Sequence, residues 1–346
     1  MGASARAWGP GGAPPYFPEM PMFSPTIRRA AMALPCALLL ALFWAPNRAF
    51  PCACGCGIFE TGLPGLPDSA FATQISLQVS YMNQNMNQEG KNLVNSGLNS
   101  DKEIETSFIN LDIQHQFNQD WGAIVEIPYW MRHFATDVNG SSGVTDQQAG
   151  VVPDIRTQDI QTLSDIRVMG MYTGFSGDMS TGLKFGLKLP TGPYDVPLMD
   201  RDTAPGTGTT DLLLGGYHMG QVGPFGWFLQ GLLDTPLGQP VDGYQPGSEL
   251  DAALGGYWNG LKGLTGLVPM LQLNGALRAH DYGGDDIASG NGNSGYENLF
   301  VTPGLMESLG PNWQVMASVY LPVARDVHGD QLVPSWMGNA GVSYMF

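Results

Sequence analysis

Basic side chains are scarce in this chain: 15 Lys and Arg stand against 31 Asp and Glu in 346 residues, a formal net charge of −16. Such an acidic balance argues against nucleic acid as a partner and against a polybasic role at a membrane surface. Long apolar runs are scarce as well. After residue 45 the sequence has none of the length, about 20 residues, that a spanning helix needs, so a helical membrane bundle is excluded. The five histidines, His115, His133, His218, His280 and His328, accompany no serine at a recognisable nucleophile turn, and the reading is of a protein without a catalytic site. Neither a C-x-x-C-H haem attachment motif nor a calcium loop with a terminal Glu occurs, and no cofactor is expected on those grounds.

The apolar run that does occur lies near the start. Arg28 and Arg29 precede Ala30–Ala45 (AAMALPCALLLALFWA), which a polar, Pro-containing break follows. Too short to span comfortably and interrupted by Pro35, it reads as a secretory signal peptide, with Ala49 and Ala53 as candidate cleavage positions and residues before about Met22 as an upstream start-site extension. The expected organisation is residues 1–50 as leader, 51–69 as a periplasmic Cys-containing segment and 70–346 as one folded unit. Without the leader, which holds Arg6, Arg28, Arg29, Arg48 and Glu19, 15 less 4 basic and 31 less 1 acidic side chains remain, a net charge of −19.

Period two governs that unit. Phe71, Thr73, Ile75, Leu77, Val79 and Tyr81 alternate with small or polar residues, and Ile109, Leu111, Ile113 and Phe117 do so again. Similar runs follow at about 121–133, 163–175, 181–190, 209–220, 225–236, 248–259, 267–280, 296–308, 312–324 and 335–346, twelve in all. Short turn-forming connections (118–120, 176–180, 221–224, 260–266, 309–311) alternate with longer polar ones (82–104, 134–161, 191–207, 237–247, 281–295, 325–334). This regular sorting predicts an all-β transmembrane antiparallel up-and-down barrel of about 12 strands, with short periplasmic turns and long external loops. Phe117, Trp121, Phe175, Phe225, Trp313 and Phe346 fall at one rim and Tyr81, Tyr129, Tyr320 and Trp336 at or near the other, as interface girdles require. His115 and His218 fall on the face predicted to meet lipid.

The chain ends NAGVSYMF, Asn339–Phe346, with Val342, Tyr344 and Phe346 on one face. The octet resembles the C-terminal signal by which Gram-negative assembly machinery accepts outer-membrane barrels, which implies that machinery and the lipid bilayer as partners.

The opposite strand face is predicted to line a lumen carrying Asp112, Glu126, Arg132, Asp165, Arg167, Lys184, Lys188, Asp211, Asp234, Asp251 and Arg278. Charges of both signs there either pair across a narrow interior or line a path for a solute. The residues chosen for a path are Lys184, Lys188, Arg167, Asp165, Arg132 and Glu126, with the two lysines on one strand face suited to an anionic or phenolate-like solute. Ahead of the first strand, Cys52, Cys54 and Cys56 at spacing two suit a soft metal ion, a disulfide with one thiol left over, or simple packing. Acids at Asp195, Asp200 and Asp202, and at Asp281, Asp285 and Asp286, read as solvated loop charge.

Three stretches, Leu163–Tyr172 (LSDIRVMGMY), Gly182–Gly192 (GLKFGLKLPTG) and Gly206–Gly215 (GTGTTDLLLG), resemble hallmark segments of the outer-membrane transporter family named for the meta-pathway of phenol degradation. Ser164-Asp165 stands where that family more usually has Gly-Asp. The resemblance implies a transporter-like barrel and leaves the solute open. The expected function is passage of a small, aromatic or anionic solute across the Gram-negative outer membrane. The alternative is a structural or metal- or redox-linked barrel working through its Cys52, Cys54, Cys56 segment.

Overall fold

The computed structural model describes residues 72–140, 146–240, 242–261, 266–283 and 294–346. The leader, the Cys52, Cys54 and Cys56 segment, and Asp285 and Asp286 lie outside them. Thirteen strands occur among the described residues: β1 (Thr73–Gly90), β2 (Asn92–Leu93), β3 (Asp101–Gln116), β4 (Trp121–Asp137), β5 (Ile155–Leu163), β6 (Ile166–Tyr172), β7 (Thr181–Leu189), β8 (Asp211–Val222), β9 (Phe225–Pro236), β10 (Glu249–Trp258), β11 (Leu267–Arg278), β12 (Tyr296–Leu309) and β13 (Trp313–Met345). Each ladder is antiparallel, and β13 pairs back onto β1 to close a barrel of eleven strands, with β2 and β5 outside the ring.

The eleventh strand of the ring crosses twice. Residues 313–327 pair with β12, and residues 327–345 return along β1. Gly329, at φ +72°, lies where the direction reverses, and the Trp313 and Tyr344 rings meet at 4.7 Å at the opposite end. Counted as crossings, the wall therefore has the twelve that the periodicity predicts. The C-terminal octet is the closing strand: Val342 opposes Leu77, and the Phe346 amide donates to the Thr73 carbonyl at 2.9 Å.

Closure inverts the usual meaning of burial. Side chains such as Leu77, Val168, Leu183, Leu229, Leu271 and Leu321 stand exposed on the outer wall, while their alternating neighbours are covered inside. A continuous apolar exterior of this kind needs lipid around it. Phe117, Trp121, Phe175, Phe225, Trp313 and Phe346 are all exposed near the turn-bearing rim, and Trp121 touches Tyr172, which in turn touches Phe175. The two lipid-side histidines are each satisfied by a cross-strand hydroxyl: Thr73 Oγ1 lies 2.8 Å from His115 Nδ1, and Thr181 Oγ1 lies 2.8 Å from His218 Nδ1. An apolar surroundings can hold an imidazole only with such a partner.

Two loop expectations need correction. Segments 82–104 and 325–334, read as loops, are in large part strand, and 134–161 is strand at both its ends: β1, β3, β4, β5 and the β13 hairpin continue upward as one tall wall. Their outward face there is polar, with Tyr81 Oη donating to Glu105 at 2.9 Å, Asn83 to Glu103 at 2.6 Å, and His133 against Asp159 at 2.7 Å. The wall has left the hydrocarbon, so the apolar alternation stops while the backbone ladder does not. Segment 191–207, read as external, folds into the barrel: Thr203 is fully buried, with Asp202, Ala204, Pro205 and Gly206 also buried.

Candidate functional site

The three motif stretches converge where β5 gives way to β6. Ser164 and Asp165 interrupt what would otherwise be one strand, since β5 and β6 pair in turn along β4. The Asp165 carboxylate accepts hydrogen bonds from the Gly192 amide at 2.9 Å, the Thr207 amide at 2.7 Å and the Thr207 hydroxyl at 2.8 Å. Ser164 Oγ donates to the Pro205 carbonyl, and Thr191 Oγ1 donates to the Ser164 carbonyl at 2.8 Å. Both ends of the 190–210 loop are thus fastened to one strand break. Glycine is required at the crossing: a Cβ on Gly192 would lie 2.9 Å from Gly206 Cα and 3.0 Å from Ser164 Cα, and one on Gly206 would collide with the Gly192 carbonyl.

From this root the loop runs inward along the adjoining strands. Arg132 on β4 donates through Nε to Thr106 Oγ1 at 2.9 Å and through Nη1 to the Thr203 carbonyl, with its guanidinium stacked 4.6 Å over Trp130. Met199 packs against Ile104, Phe134 and Leu332. Arg201 lies between the rings of Tyr194 and Tyr244, 4.6 Å from each, and pairs with Asp242 at 2.5 Å. Burial, and Asp101 beside it, push the Asp200 carboxyl well above the ordinary carboxylate range.

Beneath the loop root the lumen face carries a charged belt. Register places Asp112 opposite Glu126, Glu126 opposite Arg167, Arg167 opposite Lys188, and Lys188 opposite Asp211. Lys188 Nζ lies 2.5 Å from Asp211 Oδ2 and 2.9 Å from Asp234 Oδ2, while Arg167 reaches Glu126 at 3.7 Å and Asp234 at 3.6 Å. Two cations sit among four carboxylates, so the belt is anionic on balance. Two residues further towards the turns lies an apolar layer of Ile124, Met169, Leu213 and Leu232, joined by Met171 and Tyr217. On the far wall, Met82, Phe108, Tyr296, Phe300, Tyr320 and Met337 form an aromatic and thioether cluster against Trp130. Phe108 meets Trp130 edge-on at 5.0 Å, and Tyr296 donates to Glu249 at 2.6 Å.

The six residues chosen from sequence therefore separate into three roles. Glu126, Arg167 and Lys188 are brought together in the belt, where Lys188 is held between two carboxylates. Lys184 lies two layers lower, buried and cross-strand from Met171 and Gly215. Asp165 and Arg132 instead fasten the loop, at its root and near its tip. Asp211 and Asp234 complete the belt, and their position on the lumen face was readable from period two. Phe108 and Phe300 were not singled out in the sequence, because they interrupt a face otherwise polar enough to be read only for its charges. Tyr320, read as part of the outer girdle, is instead buried on the inner face against Phe300, since it alternates with the exposed Val319 and Leu321.

No protein-family model matches the chain, and no curated protein matches it. Among solved structures, the fold is similar to an outer-membrane channel from Pseudomonas putida, at 12% identity over 83% of this chain and 100% of that one, with a TM-score of 0.59. Fainter likenesses link it to the β domain of the Bordetella autotransporter BrkA (12% identity, 80% of this chain and 100% of that one, TM-score 0.46) and to the CymD monoaromatic hydrocarbon channel (10% identity, 80% and 89%, TM-score 0.41). The first of these supports the fold: this chain has the closed-barrel architecture seen in outer-membrane channels.

Proposed function

We propose that the protein is a Gram-negative outer-membrane channel for a small amphipathic, aromatic solute, with the inward loop as its constriction. The observation that carries this reading is the lumen itself, which sets aromatic and thioether side chains against a belt of fixed charges below a folded loop. Polarizable thioethers and aromatic edges hold flat apolar molecules without demanding one shape, and few, fixed polar groups orient them. A barrel built only for rigidity has no need of either. The paired state of Lys188 shifts the expectation away from a free anion well and towards a solute whose ring, more than its charge, is recognised.

Single-channel recording of the refolded mature protein in planar bilayers tests this. Resolved conductance steps that a monocyclic aromatic solute blocks in a concentration-dependent way are the expected result. A silent barrel, in the wild type and with the 190–210 loop shortened, refutes the channel reading, and steps indifferent to aromatic solutes refute the solute class.

A further inference from the structure

At the outer mouth, away from the belt, two histidines from different strands meet. We propose that His280 and His328 form a two-imidazole binding site for a borderline divalent cation of the Cu²⁺ or Zn²⁺ type. Their rings lie 4.5 Å apart, centroid to centroid, at 36°. The register explains the meeting: Arg278, Tyr296 and Val327 lie side by side on β11, β12 and β13, so Ala279 and His328 flank Gly295, the residue just before β12, and His280 follows one residue on. That position has no side chain to push the His328 ring away. A Cβ on Gly295 would come within 3.0 Å of His328 Nδ1 and 2.9 Å of the Arg278 carbonyl, and φ there is +88°, which suits glycine.

The nitrogens left over are the ones a metal uses. Nδ1 of His280 and Nδ1 of His328 are both covered and have no hydrogen-bond partner among the described residues. With neither Nδ1 engaged by the protein, each ring keeps a nitrogen for a ligand.

The frame around the pair is fixed. The His328 amide donates to the Gly295 carbonyl at 3.1 Å, and Gln331 Nε2 bridges the Gly295 and His328 carbonyls at 2.9 and 3.0 Å. Asp281 is not a third ligand here: its carboxylate accepts from the Gly247 amide, the Tyr244 hydroxyl and Arg278. Two imidazoles with water in the remaining positions favour borderline ions, Cu²⁺ above Zn²⁺, over Mg²⁺ or Ca²⁺. The chain's acidic excess raises the local concentration of any cation. A bound ion would cross-link the β13 hairpin to the strands beside it at the channel mouth.

The test uses the full, untagged chain with Cys36, Cys52, Cys54 and Cys56 replaced by Ser, so that thiols do not compete. Cu²⁺ is titrated and read by electron paramagnetic resonance. The expected result is one Cu²⁺ per chain with coupling to two nitrogens, weakened at least about tenfold in H280Q and in H328Q, each of which removes one ligand. H133Q, at the histidine paired with Asp159, leaves it unchanged. Heat-modifiable electrophoretic migration confirms that each variant is a folded barrel. Binding that survives either Gln substitution, or that H133Q abolishes, overturns the proposal, as does a wild type that takes up no stoichiometric Cu²⁺.

Discussion

Replacing Asp165 by Ala tests whether the strand break is a latch. The carboxylate accepts three hydrogen bonds, two from the Thr207 amide and hydroxyl and one from the Gly192 amide. A hydrogen bond to a charged group contributes about 1.5–3 kcal/mol, and three that share one acceptor add less than their sum. Water can reach the freed donors once the loop moves, so the lower part of the range applies. We take about 3 kcal/mol, which is roughly a hundredfold change in the ratio of folded-in to released loop. The contacts of Arg132 and Arg201 at the far end are untouched, so the barrel itself stays folded. In planar bilayers D165A should spend far more time in its largest conductance state than the wild type, and D165N, which keeps one accepting oxygen, should fall between them. A D165A protein with normal heat-modifiable migration and with wild-type conductance levels and dwell times would refute the latch, since the loop would then be held by something other than this carboxylate.

Three further outcomes are expected. K188M leaves Asp211 and Asp234 facing each other without their shared cation, and breaking so buried a cluster costs about 3–5 kcal/mol; urea unfolding in lipid vesicles should move by that amount, and the reversal potential should shift towards cations. Asp200 has its carboxyl raised in the folded-in loop, so the stabilisation it provides is complete at low pH and is lost as pH climbs from the ordinary carboxylate range through the raised value. Loop release, read as open probability, should therefore increase with pH over that window, and D200N should flatten the dependence. F108A and F300A each remove one face of the aromatic cluster, and block by a monocyclic aromatic solute should weaken about two- to tenfold in each, the equivalent of ring contacts of about 0.5–1.5 kcal/mol.

Much of the architecture was legible because a barrel writes its two environments into alternate residues. Leu77, Val168 and Leu321 had to meet lipid, and Phe117, Trp121 and Phe346 had to meet an interface, so the number of crossings and the closing role of the C-terminal strand followed from the order of residues. The same reasoning lost sight of the wall above the membrane. Asn83, Glu103, His133 and Asp159 are polar on a face where lipid has ended, and hydropathy cannot separate such a strand from a loop.

The candidate site was legible in composition and not in arrangement. Period two put Glu126, Arg167, Lys188, Asp211 and Asp234 on one face, but cross-strand register decides that Lys188 lies between two acids, and register is a property of the pairing. Only the tertiary structure could turn 190–210 inward. Its Asp, Thr, Pro and Gly residues have the chemistry of any surface loop, and what distinguishes them is a carboxylate at Asp165, close in space and 25 or more residues earlier in the chain. The meeting of His280 with His328 has the same origin: two half-buried rings 48 residues apart touch because register sets the end of β11 and the β13 hairpin on either side of β12, where Gly295 leaves room for the His328 ring.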